Sequence, residues 1–480
     1  MLTQHGFKQE LGLFDSTMIV IGSMIGSGIF IVSADIARTV GSSGLLLLVW
    51  VITGIMTLIG ALSYGELAAM FPKAGGQYVF LREAYNPLIA FLYGWTLFAV
   101  IQTGTIAAVG VAFAKFTSVV LPFFSESNYL LTLSQFKIST SQLLAIFSIL
   151  ILTAVNVLGI REGKFVQNIF TVSKTIVLIG LILLGIFIGS NAEAISANFS
   201  NMWDGKWLKN SDGFVMESLS GFLLIAAIGS AMVGSLFSSD AWNNITFTAS
   251  EVKNPKRNLP LSLFWGTATV TVLYVLANVS YLMVLPLNGS PNGTNIFDSG
   301  IQFAAEDRVG TAVAESIFGE SAAVIMAVLI MISTFGCNNG LILAGARVYY
   351  AMAKDNLFFK KAGELNKHSV PAAALVFQGI WASILCLSGT YSQLLDYVIF
   401  AVLIFYVLTI SGIFILRKKK PNQERPYKAF GYPILPLVYI ILAATISFIL
   451  LIYKPSYTWP GLIIVLCGIP IFYVWKKVSK

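Results

Sequence analysis

Hydrophobic residues fall into about twelve runs long enough to cross a bilayer, at 14–36, 44–71, 88–114, 142–160, 169–189, 221–249, 261–286, 321–352, 370–389, 394–416, 433–453 and 458–475. The segments between them are short, apart from Asn/Ser/Gly-rich stretches near 120–141, 190–218 and 288–318. None is long enough for a soluble domain, so the pattern predicts one all-α polytopic membrane domain over residues 1–480. The polar start, MLTQHGFKQE, leads straight into the first run without a small-residue cleavage site, so that run is expected to stay as an anchor.

Two runs are interrupted. Gly22–Phe30 reads GSMIGSGIF, with weak helix formers where a spanning helix should be most regular. Unwinding there exposes N–H and C=O groups that hydrocarbon cannot satisfy, so a break persists only where protein or a polar cavity covers it. The plain structural alternative is a small-residue face for close helix packing. The sixth run contains GSAMVGSLFSSDAWNN at Gly229–Asn244, which adds an acid, Asp240, at membrane depth. Runs one and six open two blocks of five, about 14–189 and 221–416, and two further runs follow at about 433–475. Interrupted helices at matching positions of two blocks point to a carrier with inverted repeats and a ligand site at the bilayer midplane.

Composition agrees with the pattern. Hydrophobic residues make up 56% of the 480 and charged residues 11%, with a mean hydropathy of +0.80, which excludes a soluble domain of this size. Of the 30 Lys and Arg, 21 fall in segments on the side shared by both termini and 7 on the other, with Lys174 and Arg347 inside runs. The positive-inside rule therefore places both termini in the cytoplasm. The net charge of +8 is explained by a basic rim facing anionic membrane lipid, without a nucleic-acid partner. Cys337, Cys386 and Cys467 all lie in runs, which leaves no disulfide for the outer segments. The two histidines, His5 and His368, lie outside the runs, and no HExxH, GxSxG or Walker pattern occurs. Neither an enzyme, a metal site nor a bound cofactor is expected. A channel would need a filter-like repeat, which is missing; a ligand sensor built on the same architecture is the reading from a different class.

Five segments carry a more specific likeness: Gly22–Phe30, SYGELAAMFPKAGGQYVFLREAYNP at Ser63–Pro87, Ser173–Lys174, FSSDAWNNITFTASEVKNPKRNLPLS at Phe237–Ser262, and FGCNNGLILAGARVYYAMAKDN at Phe335–Asn356. In these the chain resembles permeases of the amino acid–polyamine–organocation superfamily, closest to the L-type (LAT-like) amino-acid transporters. The resemblance implies a LeuT-type five-plus-five inverted repeat with two additional helices. It also implies sodium-independent exchange or facilitated diffusion of L-amino acids, neutral ones foremost, by alternating access. Proton-coupled uptake and cationic or polyamine substrates are the alternatives. A carrier in the cytoplasmic membrane without a disulfide-linked accessory subunit is implied, since the segment after the third run has no cysteine.

The half-helix after a break at Gly26, Ser27 and Gly28 would offer free N–H groups and a positive dipole end to a carboxylate. Carbonyls freed by the break near Ser238 and Ser239 would take the ammonium. By resemblance, Met24 and Ile25 border the pocket, Phe237 is its outer lid, and Trp242 and Asn243 follow the second break. Lys174 would act as a built-in cation where related carriers hold Na⁺, bridging helix-one carbonyls near Gly22 and a helix-eight hydroxyl, expected at Ser333. Asp240 is open between facing the pocket, binding a proton, and capping a half-helix that starts near Ala241. Glu66, Glu251 and Arg347 are expected in ion pairs near the helix ends, and Asp396 at the start of helix ten as an N-terminal cap.

Overall fold

The computed structural model describes residues 9–133, 136–158, 163–210, 214–388 and 391–478. The expected ends of the fourth and ninth runs at 160 and 389, together with His5, Lys8, Arg161 and Lys480, lie outside the described residues. The molecule is a polytopic helical membrane protein. Among the described residues, ten helices are long and apolar enough to cross a bilayer, and a bent pair, Leu13–Met24 with Gly28–Val40, counts as an eleventh if it is taken as one span.

Numbered by run, helix two is Ser43–Met70, helix four Thr140–Leu158, helix five Gly163–Phe187, helix seven Pro255–Val284 and helix eight Glu320–Lys354. Helix ten is Tyr391–Lys419, helix eleven Ile434–Tyr453 and helix twelve Pro455–Val478. Helix three runs over Pro87–Val120 and changes to a π-turn at Leu97–Ile101. Helix six ends at Ser238, and a single turn of helix, Asn244–Phe247, follows. The ninth run gives a helix of only 14 residues, Ala372–Leu385, which is short for a crossing.

The ends of these helices follow their sequences. Ser42 caps helix two through a hydrogen bond from the Leu45 N–H. Pro87 and Pro255 occupy first-turn positions, where the missing N–H costs nothing. Close packing uses glycines: a Cβ on Gly54 would strike Thr271, and one on Gly266 would strike Val20. Helix seven thus sits tightly between helices one and two, as small residues allow in a membrane. Two of the Asn/Ser/Gly-rich stretches contain antiparallel strand pairs, Tyr129–Leu133 with Phe136–Ser139 and Lys206–Asn210 with Phe214–Ser218.

Several ion pairs join residues near the helix ends. Arg417 grips Glu66 with two hydrogen bonds, at 3.0 and 2.6 Å, and Arg425 lies 3.4 Å from the same carboxylate. Glu66 also accepts from the Ala429 N–H. Arg347 holds Glu251 at 2.6 Å, and Arg82 pairs with Asp355. The segment before helix one is tied in here, with the Glu10 and Leu11 N–H groups donating to the Glu251 carbonyl. Asp396 departs from the sequence reading. It lies within helix ten rather than at its start and pairs with Lys454 at 2.8 Å. Helix ten begins three residues earlier than the run suggested, at Tyr391, which turns a capping position into a buried interhelical one.

Candidate functional site

The first span breaks where Gly and Ser cluster. Helix Leu13–Met24 stops, Ile25 is extended (φ −72°, ψ 97°), and helix resumes at Gly28 with a 42° change of direction. The break exposes carbonyls at the end of the first half, and side chains from three helices reach them. Lys174 of helix five, 3% exposed, donates from Nζ to the carbonyls of Gly22 (2.5 Å) and Ile25 (2.6 Å). The Cys337 thiol of helix eight lies 3.4 Å from the Ser23 carbonyl. The Tyr274 hydroxyl of helix seven donates to the Met24 carbonyl at 2.9 Å. Four successive carbonyls, Gly22 to Ile25, therefore each meet a side-chain donor, which lets a broken helix persist in hydrocarbon. On the other side of the break, Gly28–Val40 starts with N–H groups that have no carbonyl one turn earlier.

The second break lies directly against the first. Past Ser238 the chain turns through Ser239, Asp240 and Ala241, the last with φ +63°, and resumes helix at Asn244. Tyr274 links the breaks, because its hydroxyl also lies 3.1 Å from the Ser238 carbonyl. A Cβ on Gly28 would strike the Ser238 side chain, so this glycine sets the distance between them. Ser27 shares a 3.2 Å hydrogen bond with the Tyr391 hydroxyl, and the same ring meets Phe237 edge-on, centroids 6.1 Å apart.

A broken first span facing a broken sixth is the arrangement that the sequence likeness implied, and comparison with known proteins shows the family. The sequence model for the family described as amino acid permease matches residues 11–473. Human b(0,+)-type amino acid transporter 1 is 30% identical over 98% of this chain and 91% of its own length. The serine/threonine exchanger SteT of Bacillus subtilis (strain 168) is 30% identical over 98% of each chain. Human large neutral amino acids transporter small subunit 2 is also 30% identical, over 98% of this chain and 82% of its own. The chain belongs to the amino acid permease family.

Asp240 sits in the second break of this permease, and its Oδ1 accepts from the Tyr406 hydroxyl of helix ten at 2.5 Å. Among the described residues no Lys or Arg stands within ion-pair distance of it. It does not cap a half-helix at Ala241, because the left-handed Ala241 delays the restart and Asn243 takes the N-cap position. Asn243 instead donates to Gln77 Oε1 at 3.0 Å, and Gln77 donates to Thr409 Oγ1 at 3.0 Å. Beside these groups lies a small cavity between helices three, six, eight and ten, lined among others by Gln102, Thr105, Asp240, Asn243, Leu341 and Tyr406.

The structure does not bring every expected residue to the site. Ser333 makes no hydrogen bond with Lys174, and among the described residues its Oγ has no partner at all. Cys337, one helical turn further on, is the helix-eight group at the break. Residues four apart share a face but stand about 5–6 Å apart along it, and that offset decides which one reaches. Trp242 packs into the protein rather than lining the cavity. Its ring meets Tyr64 edge-on at 4.8 Å and lies 5.3 Å from Tyr406. Met24, Ile25, Gly26, Ser27, Gly28, Phe237, Ser238 and Ser239 all lie at the paired breaks, buried. The sequence reading missed Tyr274, Tyr391, Tyr406 and Gln77. For Tyr274 and Tyr406 the signal was a polar tip inside an apolar run, since a buried tyrosine hydroxyl needs a partner; Tyr391 and Gln77 lie between runs and gave no such signal.

Proposed function

We propose that the permease exchanges neutral L-amino acids across the cytoplasmic membrane by alternating access and without Na⁺. The observation that carries this reading is the Lys174 ammonium seated on the Gly22 and Ile25 carbonyls at the break. A fixed cation there satisfies the exposed carbonyls that a bound metal cation would otherwise coordinate, so no coupling ion is needed to hold the break together. The substrate carboxylate sits at the N–H groups of Gly26, Ser27 and Gly28, at the positive end of the half-helix Gly28–Val40. Its ammonium goes to carbonyls at the end of helix six, near Ser238 and Ser239, and Phe237 closes over it. The two five-helix blocks are inverted repeats, with helices eleven and twelve added, and both termini are cytoplasmic. The names of the relatives include a serine/threonine exchanger and a large neutral amino acids transporter subunit, which favours exchange and neutral substrates. No disulfide-linked subunit is required, since Cys337 and Cys386 are buried and Cys467 lies on helix twelve.

One observation favours a second reading. Asp240 is a partly buried carboxylate at the second break, partnered by a tyrosine hydroxyl and, among the described residues, by no cation. Such a charge is costly to leave alone, so a cationic side chain or a proton would settle there.

Proteoliposomes test both readings. Uptake of a labelled neutral amino acid should rise when unlabelled neutral amino acid is loaded inside, and an imposed pH gradient should add nothing. Uptake that needs the gradient, or stronger competition by lysine and arginine than by leucine, replaces the first reading with the second. Binding without any flux would make the protein a sensor.

A further inference from the structure

The cavity beside Asp240 has two walls whose shape is set from outside. On helix three the wall is made by Leu97, Ile101, Gln102 and Thr105, and Leu97–Ile101 is a π-turn. A π-turn is a local insertion with a loosened hydrogen-bond ladder, costly unless neighbours hold it. Here a neighbour does: the indole N–H of Trp381, on helix nine, donates to the Ala99 carbonyl in the middle of the turn at 2.9 Å. The Thr103 hydroxyl holds the Phe98 carbonyl from within helix three at 2.7 Å. The opposite wall contains Leu341 of helix eight, and two amides hold the backbone there. Gln102 donates to the Leu341 carbonyl at 2.8 Å, and Gln378 of helix nine donates to the next carbonyl, Ile342, at 2.9 Å. Gly345 makes this possible, since a Cβ on it would strike both amides. Gln378 and Trp381 are three residues apart, on one face of helix nine. Among the described residues, helix nine itself contributes nothing to the cavity lining.

We propose that helix nine sets the width of this cavity, and thereby which amino-acid side chains the permease accepts. Trp381 fixes the helix-three wall in its π-turn and Gln378 fixes the helix-eight wall, so both are positioning residues acting through other groups. The proposal rests on the amino-acid site described above, and specifically on the cavity receiving the substrate side chain. Removing the Trp381 donor leaves the Ala99 carbonyl without its outside partner in a low-dielectric setting, which favours relaxation of the turn towards regular α-helix. That relaxation rotates helix three on one side of the turn against the other and moves Gln102 and Thr105 relative to Leu341.

The test uses the full chain in proteoliposomes, with exchange of labelled leucine competed by alanine, leucine and phenylalanine. Trp381→Phe and Gln378→Leu should each change the alanine-to-phenylalanine ratio of apparent affinities by about fivefold to tenfold, and the maximal exchange rate by less. Trp381→His, which keeps a ring N–H, should move the ratio back towards the parent. Amide hydrogen exchange on the same variants reads the turn directly, and Trp381→Phe should lose protection over 97–103. An unchanged ratio in both variants overturns the proposal, as does a lost transport rate with unchanged protection over 97–103. A parent protein that moves no amino acid defeats the transport reading instead, and the exchange measurement still shows whether Trp381 holds the turn.

Discussion

The two helix breaks meet at Gly28 and Ser238 but are stabilised in opposite ways. The break in the first span is closed by donors that arrive from elsewhere: Lys174, Cys337 and Tyr274 serve the carbonyls of Gly22, Ser23, Met24 and Ile25. The break after helix six holds a carboxylate, Asp240, with a tyrosine hydroxyl as its side-chain partner. One break carries a cation already seated; the other carries an anion short of one. On its carbonyl side the first is complete without a ligand, whereas the second leaves polar capacity beside a cavity. On the proposed site, the difference separates the carbonyls already held by side chains from the carboxylate that a substrate or proton would meet.

The contrast can be broken at its point of contact with the largest effect. Gly28→Val places a branched side chain where Ser238 already lies and forces the breaks apart. Binding should be abolished while membrane insertion persists, measured as loss of ligand-induced thermal stabilisation in a protein that still purifies as a monodisperse species. Next in size is Tyr274→Phe, which removes one donor serving a carbonyl on each break. Exchange should fall about tenfold, in keeping with about 1–3 kcal/mol for leaving a buried acceptor unsatisfied. Equal rates for parent and variant would show that the breaks do not act as a unit. The smallest effect is expected at Asp240→Asn, which keeps the shape and removes the charge. Neutral exchange should stay within about threefold of the parent, while any inhibition by lysine or arginine weakens. Collapse of neutral exchange in that variant would mean that the carboxylate works in every cycle.

The positions of both breaks were legible because glycine and serine are poor helix formers and the chain uses them in the middle of apolar runs. The membrane helices were legible from hydropathy, although the ninth proved short and helix ten started early enough to turn Asp396 from a cap into a partner of Lys454. What joins the breaks was not legible. Tyr274 reaches a carbonyl 250 residues away, and Tyr406 reaches Asp240 across 166 residues. Local sequence carries no record of such pairs. The error at Ser333 was of a different kind: the face of helix eight was right, but the level along it was wrong by one turn, and Cys337 occupies the place. Trp242 shows a third limit, since an aromatic beside a break can equally line a cavity or pack behind it. Here Gly60 and Tyr64 of helix two leave the space behind, and the ring fills it.

The central claim is that a fixed ammonium does the work of a coupling ion at the first break. Initial rates of neutral amino-acid uptake, compared in Na⁺ and in choline for the parent and for Lys174→Ala, test it most directly. Two charge-assisted hydrogen bonds, each worth about 1.5–3 kcal/mol, are lost in the variant, and their carbonyls are left facing an apolar interior. The account predicts equal parental rates in the two media and a fall of at least about tenfold in Lys174→Ala. Strict Na⁺ dependence of the parent, or an unaltered rate in Lys174→Ala, would contradict it.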